Sequence, residues 1–354
     1  MLDIFGAWIR RYFSDPQAVL LMVLLILSFT IVLTMGGMLL PLLAALVIAY
    51  LLEALVHVLQ YRHLPRMWAV VLVYVLFITA LAFIVLGLIP LLSRQLSQFV
   101  HDLPHMINNG QQLLLRLPEL YPQFITETQV SEVITGIRKA ITGLGQNVLS
   151  LSLASIPTLV TVLVYLILGP LLVFFFLKDK EILITWLTRF LPRKRSLLTR
   201  VWQEMDQQMG NYIRGKFYEI LIVGVTTWVT FTLMGLAYAS LLAALVGLSV
   251  IVPYIGATVV TLPVALVGYF QWGLSADFGW IMLAYGIIQA LDGNLLVPLL
   301  FSETVNLHPV AIITAVLVFG GLWGIWGVFF AIPLATLVKA IINAWPRDEA
   351  SMVP

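Results

Sequence analysis

Long apolar stretches dominate this chain and leave few folds open to it. Eight of them approach or exceed the roughly 20 residues that a helix needs to cross the hydrocarbon core of a bilayer. They are residues 18–35, 38–57, 67–92, 156–177, 217–237, 240–270, 279–301 and 309–342. Only 10% of the residues are charged, whereas soluble domains carry about 25%. The sequence therefore predicts an all-α, polytopic integral membrane protein with eight apolar segments.

Two of these stretches are longer than one helix needs and are interrupted in the middle. The first, 240–270, is interrupted at Val252-Pro253-Tyr254-Ile255-Gly256, and the second, 309–342, at Gly320-Gly321-Leu322-Trp323-Gly324. Each interruption is either a kink in a spanning helix, which gives eight spans, or the tip of a re-entrant hairpin, which gives six spans and two hairpins. We favour the hairpins, because both interruptions lie mid-stretch.

A weak internal repeat accompanies the interruptions. The string GATVVTLPVALV begins at Gly256, and the similar string GVFFAIPLATLV begins at Gly327. Each repeat would then consist of one span followed by one broken stretch, 217–270 and 279–342. Transporters often build their substrate site between two such repeats of inverted topology.

Two polar segments separate the apolar stretches and set the predicted orientation. Residues 93–155 hold four basic and four acidic residues, and residues 178–216 hold nine basic and four acidic residues. Because short cytoplasmic loops are enriched in Lys and Arg, we expect 178–216 to lie in the cytoplasm. The segment 93–155 is then a helical extracytoplasmic insert, and both chain termini are cytoplasmic.

The predicted organisation of the chain follows from these segments. In order, it comprises an interfacial amphipathic helix (1–17), three spans (18–92), the insert (93–155), a fourth span (156–177), a basic amphipathic cytoplasmic segment (178–216), a membrane core with the two broken stretches (217–342) and a cytoplasmic tail (343–354). Gly36-Gly37 is expected to separate the first two spans, and Pro104, Pro118 and Pro122 to cut the insert.

Asp292 is an acidic residue near the centre of the apolar stretch 279–301 and is followed by Gly293 and Asn294. An acidic group at bilayer depth costs on the order of 3 kcal/mol, and such residues usually have a function. We expect Asp292 to bind a proton, a cation or a polar solute on a transport path. The alternative is a buried helix breaker whose carboxylate is satisfied by neighbouring backbone amides.

Broken backbone supplies the other candidate pathway residues. Pro253 has no N–H and Gly256 tolerates any backbone angle, so this interruption would free carbonyl groups for an ion or solute. A simple kink is the alternative. The remaining candidates are Tyr254, Asn306, Gly320, Gly321 and Gly324. Asn306 is also consistent with a cap before the helix that begins near Pro309.

Several classes of function lack the residues that they need. The chain has no cysteine, which excludes disulfides and thiolate metal sites. It contains no H-E-x-x-H, no G-x-S-x-G and no Walker A motif, which argues against hydrolytic and ATP-driven activity. We therefore expect no enzymatic activity, no catalytic residues, no cofactor, no metal site and no nucleic-acid partner.

Four motifs resemble one transporter family. They are GNYIRGKF (210–217), VPYIGATVVTLP (252–263), LDGNLLVPLLFSETVNLHP (291–309) and GGLWGIWGVFFAIPLATLVKA (320–340). With these motifs the chain resembles the autoinducer-2 exporter family, most closely its PerM-type permease branch, over essentially its whole length. The resemblance implies a permease in the inner (cytoplasmic) membrane of a bacterial cell. It also implies a homo-oligomer, with a pentamer as one candidate.

Two functions are consistent with these observations. The first is a secondary transporter that moves a small polar or ionic solute, with ion- or proton-coupled export. The second is a non-transporting membrane scaffold or regulator that binds partners through 93–155 and 178–216. The broken stretches and Asp292 favour the transporter, because a scaffold does not need them.

Overall fold

The computed structural model describes residues 16–120, 132, 135–136, 156–191, 196–253, 255–301 and 307–344. Throughout the described residues the chain is helical between short turns and holds no strand, which confirms the all-α prediction there. Many large apolar side chains are exposed on its outer surface. Such a surface suits lipid, whose tails are as apolar as the side chains themselves.

Eleven helices follow one another in the described ranges. They are α1 (Pro16–Tyr61), α2 (Arg66–Phe83), α3 (Ile89–Leu120), α4 (Ile156–Lys178), α5 (Lys180–Thr188), α6 (Ser196–Leu233), α7 (Ala239–Ser249), α8 (Ile255–Trp272), α9 (Ala276–Leu291), α10 (Val297–Phe301) and α11 (Pro309–Ala344). Single π-helical turns join α2 to α3 (Ile84–Leu88) and α9 to α10 (Asp292–Leu296). Of the described stretches, six are long and apolar enough to cross a membrane, or seven if the bent pair α4–α5 counts as one span.

Gly36-Gly37 does not interrupt the helix as expected, because α1 runs without a break from Pro16 to Tyr61; that α1 forms two spans stays a prediction. In a membrane, backbone N–H and C=O groups have no water to bind, so a helix that stays hydrogen-bonded through two glycines is favoured over an open turn. The two apolar segments 18–35 and 38–57 are therefore parts of one long helix.

The contacts of α1 require this helix to bend. The Gln17 side chain accepts hydrogen bonds from Ser196 and from the next backbone N–H, and the Tyr50 hydroxyl donates to Asp206. A straight helix would hold residues 17 and 50 about 50 Å apart, whereas residues 196 and 206 are about 15 Å apart along α6. Both halves of α1 therefore lie beside the first turns of α6.

Each π-helical turn is followed after one residue by a proline, Pro90 in α3 and Pro298 in α10. In each turn a backbone N–H donates to the carbonyl five residues earlier instead of four. A proline has no N–H and its ring clashes with the carbonyl four residues before it; an extra residue in the preceding turn relieves that clash. The chain therefore passes both prolines without ending the helix.

The insert begins as a helix, as predicted, but its first prolines do not cut it. α3 continues through Pro104 and Pro118 to Leu120. The rest of the segment, including Pro122, lies outside the described residues apart from positions 132, 135 and 136.

The basic segment 178–216 and the span 217–237 are not separate elements as expected. After α4, the chain bends by 78° into α5, which agrees with a helix lying along a membrane surface. α6 then runs without interruption from Ser196 to Leu233. Lys216 therefore lies inside a long helix, and the division between a cytoplasmic segment and a span at residue 216 stays a prediction.

A charged cluster fixes the bundle of α1, α2, α4 and α5. Glu53 Oε1 lies 3.3 Å from Arg66 Nη2 and 3.2 Å from Lys180 Nζ. Arg66 also donates to the carbonyl of Leu177 at the end of α4. These contacts hold the chain at the point where α4 turns into α5.

The first broken stretch folds back on itself. α7 ends at Ser249, and α8 begins at Ile255 after a turn. Buried residues of the two helices share one apolar cluster, which includes Leu242, Val246, Val250, Val260, Val264 and Val267. The far ends also meet, since the Gln271 side chain bonds the Gly235 carbonyl and the Ala237 N–H at 2.8 and 2.7 Å. We call α7 and α8 the first hairpin.

The second broken stretch folds back within α11. Gly324 has φ 60° and ψ −137°, a conformation outside any helix that glycine adopts most readily. Ala315 and Val316 before it share a buried cluster with Ala331 after it, although a straight helix would separate residues 315 and 331 by about 24 Å. The two halves of α11 therefore pack against each other, and we call them the second hairpin.

Each hairpin consists of two packed helical segments, which we call its legs. A glycine lies where the two legs of each hairpin touch. A Cβ atom added at Gly256 would lie 1.8 Å from the carbonyl oxygen of Ser249, and one added at Gly327 would lie 1.8 Å from that of Phe319. Only glycine fits either position. These are the glycines that begin the two similar strings in the sequence, so the weak repeat has a counterpart in the structure.

Candidate functional site

A buried pair of opposite charges lies within α6. Lys216 Nζ is 2.7 Å from Glu219 Oε2, and the two residues are only 4% and 2% exposed. Their i, i+3 spacing places them on one face of the helix. Burying either charge alone is costly, so the pair depends on each group neutralising the other in a close hydrogen bond.

Asp292 adds a second carboxylate to this pair. The helix continues through Asp292 (φ −59°, ψ −58°), and the turn that it begins packs against α6. The Lys216 charge acts on Asp292, and the Asp292 charge acts on Glu219. We call Lys216, Glu219 and Asp292 the charged trio.

Two buried polar atoms at this site, one of them on Asp292 itself, lack hydrogen-bond partners. Asp292 Oδ1 and Gln289 Nε2 are buried, and neither finds a hydrogen-bond partner among the described residues. Because the helix is continuous here, residues 289 and 292 share a face. Buried polar groups are nearly always satisfied, so an open acceptor and an open donor one turn apart mark a place for a proton, an ion, water or a polar solute.

Lys216 also binds the turn of the first hairpin. Its Nζ donates to the Val250 carbonyl at 2.6 Å, one of the carbonyls left open where α7 ends. The sequence predicted freed carbonyls at this interruption as ligands for an ion or solute. In the structure, the freed carbonyl at Val250 instead accepts a hydrogen bond from the ammonium group of Lys216.

Tyr212, one turn before Lys216, binds the second hairpin in a similar way. Its hydroxyl donates to the Phe329 carbonyl at 2.8 Å, in the second leg of that hairpin. Neighbouring side chains on one face of α6 therefore hold both hairpins. The GNYIRGKF motif is the part of α6 that makes these contacts.

Phe301, the last residue of α10, sets the distance between α10 and α6. Its ring centroid lies 5.4 Å from Lys216 Nζ and 5.8 Å from that of Tyr212. The approach is close enough that a Cβ added at Gly215 would come within 2.8 Å of the Phe301 ring. Glycine at 215 thus lets α10 pack tightly against α6, and the preceding turn, which begins at Asp292, also packs against α6.

The other pathway residues predicted around Asp292 and the first interruption have different surroundings. Asn294 is exposed and donates to the Ala290 carbonyl of its own helix at 2.8 Å, and Gly293 beside it borders open space. Pro253 lies in the turn of the first hairpin, and Gly256 forms its leg contact. Tyr254 is outside the described residues.

Three of the predicted pathway residues lie at the second interruption, within α11. Gly320 faces Val328 of the opposite leg, and a Cβ there would approach it to 2.8 Å. Gly321 and Gly324 are exposed, and Gly324 forms the fold-back itself. Asn306 is outside the described residues.

Three residues of this site were not predicted from the sequence, namely Lys216, Glu219 and Tyr212. Lys216 stood at the boundary drawn between the basic segment and the next span, so it was counted as a topological signal. A better signal was the pairing of Lys and Glu three residues apart in a stretch that continues into apolar sequence. Within the described ranges, no group of three or more His, Asp or Glu side chains is placed to hold a metal ion.

The sequence has clear relatives among known proteins. The profile described as AI-2E family transporter matches residues 18–347. The chain is 49% identical over 349 residues to “Putative permease PerM” of Escherichia coli (strain K12), covering 99% of each chain. It is 28% identical over 307 residues to “Putative transport protein YueF” of Bacillus subtilis (strain 168), covering 85% of this chain and 82% of that protein. These are names of permeases and transport proteins, not of enzymes.

Proposed function

Because the chain belongs to the AI-2E transporter family, we propose that it moves a small polar or ionic solute across the cytoplasmic membrane, coupled to protons or another cation. Family membership and several helices of membrane-spanning length make it a membrane permease rather than an enzyme. The solute class, the coupling and the direction, which we take to be export, are the proposal.

The charge balance of the trio is the observation that carries this proposal. Lys216 supplies one positive charge, whereas Glu219 and Asp292 supply two negative charges when both are ionised. An uncompensated charge at membrane depth is costly. One proton on a carboxylate, or one bound cation, makes the trio neutral. A site that alternates between these states has the property that a coupled transporter needs.

The trio lies at the face of α6 that binds both hairpins, so a change at the trio can be transmitted to them. Lys216 binds the turn of the first hairpin and Tyr212 binds the second. Broken helices that meet near the bilayer midplane are a common construction for transporter sites. We propose that the solute passes between the two hairpins, beside the trio.

We further propose that the hairpins enter from opposite sides, with six spans in all. The beginning of the first hairpin is bound by α3, through Leu241 N–H to Gln95 at 2.8 Å and Tyr238 to Asp102. This end would face outside, because it adjoins the insert. The second hairpin contributes Ile332 to a buried cluster with Tyr212, in the part of α6 that belongs to the basic segment 178–216, and would open to the cytoplasm. α1, with both halves beside the first turns of α6, would supply two crossings.

This orientation can be tested with single cysteines, because the native chain has none. We expect Ser275→Cys to react with a membrane-impermeant thiol reagent added from outside. Ser302→Cys should react only from the cytoplasmic side, in inverted vesicles. The eight-span arrangement predicts the reverse for both positions. Reaction of both from one side would contradict either arrangement.

The location and assembly of the protein are also proposals. The inner membrane of a bacterial cell, with both termini in the cytoplasm, agrees with the positions of Lys and Arg. The homo-oligomer is proposed from the family resemblance alone. The non-transporting scaffold is disfavoured, because the named relatives are permeases and transport proteins and because a scaffold needs no buried charged trio.

Transport by Asp292→Asn tests the proposed coupling. Candidate solutes are first found by comparing the small molecules exported by a deletion strain and its complemented parent. In proteoliposomes with an imposed pH gradient, we expect the wild type to accumulate such a solute. Asp292→Asn keeps the size of the side chain but removes its titrating proton. We expect this variant to insert normally, lose gradient-driven accumulation and keep slow exchange.

Asp277→Asn is the matched control, because Asp277 is an exposed acidic residue in the first turn of the same helix, α9. It should retain gradient-driven accumulation. Wild-type coupling in a well-assembled Asp292→Asn protein would exclude Asp292 as the coupling residue. Absence of any solute flux in the wild type, across the candidates found, would instead favour the scaffold.

A further inference from the structure

We propose that the charged cluster where α4 turns into α5 binds the phosphate group of an anionic phospholipid. The cluster consists of Glu53 of α1, Arg66 of α2 and Lys180 of α5, and we call it the elbow cluster. The lipid would be a ligand of the folded protein, whatever solute the protein transports.

The elbow cluster holds one more positive than negative charge. Arg66 Nη2 and Lys180 Nζ both contact one oxygen, Glu53 Oε1, at 3.3 and 3.2 Å. The third neighbour of this oxygen is His57 Nε2 at 3.5 Å, which adds no negative charge. One carboxylate therefore neutralises only one of the two permanent cations. A phosphate diester, which carries a single negative charge, would make the cluster neutral.

Two acidic residues flank Lys180 in the chain, but they do not cancel this charge. Within the described ranges, neither Asp179 nor Glu181 forms an ion pair with a cation of the cluster. The exposed Arg62 and Lys178 lie nearby in the sequence and offset these two acidic residues. The excess charge of the cluster therefore remains for an external anion.

The cluster also has hydrogen-bond donors to offer. Both bonds of Arg66, to Glu53 and to the Leu177 carbonyl, come from Nη2. Its Nη1 and Nε, with three N–H groups, have no partner in the described part of the chain. Lys180 uses one of its three N–H groups, on Glu53. The two side chains are 27% and 38% exposed, so a phosphate arriving from outside can reach them. Guanidinium and ammonium groups are the usual protein ligands of phosphate oxygens.

The elbow lies where lipid headgroups are expected. The chain bends by 78° between α4, which is long and apolar, and α5. Ile182 and Trp186, one turn apart on α5, are 68% and 54% exposed, and the Trp186 ring contacts that of Phe190. An exposed apolar stripe with a tryptophan is typical of a helix lying in the membrane interface. Because Lys180 is the first residue of α5, the cluster lies at this level.

A lipid fits this position better than a free phosphate ion does. Both offer the same oxygens, but only a lipid also brings acyl chains. Leu171 and Phe175, one turn apart near the end of α4, are exposed apolar residues. They provide a surface for an acyl chain below the headgroup. Anionic headgroups are also concentrated at a membrane surface, where each nearby Lys or Arg strengthens their attraction.

Lipid binding to the purified full-length protein tests the site directly. The protein in neutral detergent is titrated with phosphatidylglycerol or with phosphatidylcholine of the same acyl chains, and native mass spectrometry counts the lipids bound to each chain. We expect phosphatidylglycerol to bind at least fivefold more tightly, about the effect of one uncompensated basic residue near an anionic group. Equal binding of the two lipids would overturn the proposal.

Two substitutions in the cluster should change this affinity in opposite directions. Lys180→Gln removes the excess charge and should weaken phosphatidylglycerol binding roughly fivefold. Glu53→Gln leaves both cations uncompensated and should strengthen it by a similar factor. If the cluster only joined helices, each substitution would remove a contact of the same oxygen, and the two would not differ in sign. Lys180→Arg keeps the charge and should bind as the wild type does.

Arg200→Gln is the matched control, because it removes one positive charge at an exposed position in the first turns of α6. It should leave the affinity within about twofold of the wild type. An equal loss in Lys180→Gln and Arg200→Gln would show general surface attraction and overturn the site. If Glu53→Gln fails to assemble, Lys180→Gln and Lys180→Arg decide, since only the first should bind weakly. Displacement of the lipid by an equal concentration of glycerol phosphate would show a free phosphate ester as the ligand and overturn the lipid assignment.

Discussion

Lys216→Met should destabilise the membrane core by about 3–5 kcal/mol, the usual cost of leaving a buried charge without its partner. The substitution removes the only positive charge that the structure places against Glu219 and Asp292 in the described chain. It also leaves the Val250 carbonyl without its side-chain donor. Thermal unfolding of the detergent-purified protein, with the fraction that elutes as assembled protein, measures the loss.

The rescue of this variant distinguishes charge from packing. Lys216→Met combined with Glu219→Gln should regain most of the lost stability, because the buried carboxylate left unpaired by the first change is gone. Lys178→Met is the matched control, since Lys178 is exposed at the end of α4 and a surface charge contributes about 1 kcal/mol at most. If Lys216→Met and Lys178→Met behaved alike, the buried pair would make no special contribution to stability.

The sequence predicts the elements of this fold better than their boundaries. Apolar stretches give the helices, and the interruptions at Pro253 and Gly324 lie where the chain turns back. The errors occur where local signals were taken as breaks. Gly36-Gly37 lowers helix propensity by about 1 kcal/mol per glycine, but an unpaired backbone group in the membrane costs more, so α1 continues. A basic segment suggested a boundary at residue 216, yet α6 passes through it.

The candidate site was predictable only in part, and the reason is physical. Asp292 was found because an acidic residue in an apolar stretch is conspicuous by itself. Lys216 and Glu219 could be recognised only from tertiary packing, since the approach of α10 to Gly215 brings the helix that carries Asp292 against α6. No local sequence pattern predicts that α10 packs against α6 at this point. The bond from Lys216 to the Val250 carbonyl joins residues 34 positions apart and could not be read from either segment alone.

Gly256→Ala and Gly327→Ala should each prevent their hairpin from closing, and few substitutions in this chain should have a larger effect. The added Cβ would lie 1.8 Å from a backbone carbonyl oxygen in both cases, whereas real Cβ atoms essentially never come within 3.0 Å of another heavy atom. The obstacle is main chain, not the movable end of a side chain, so a whole leg must shift. Overpacking of this kind costs about 1–3 kcal/mol, occasionally more, and we expect the upper end or beyond.

Gly286→Ala and Gly321→Ala are the matched controls, because an added Cβ meets nothing within 4 Å at either helical position. They should leave assembly intact and can gain up to about 1 kcal/mol from better helix propensity. The measurement is the assembled fraction and unfolding temperature of all four variants in one detergent. Since each hairpin closes through a glycine packed against a backbone carbonyl of the opposite leg, Gly256→Ala and Gly327→Ala should lose stability to a similar degree. Stable assembly of either would mean that its legs do not touch as described, and the structural counterpart of the repeat would be lost with it.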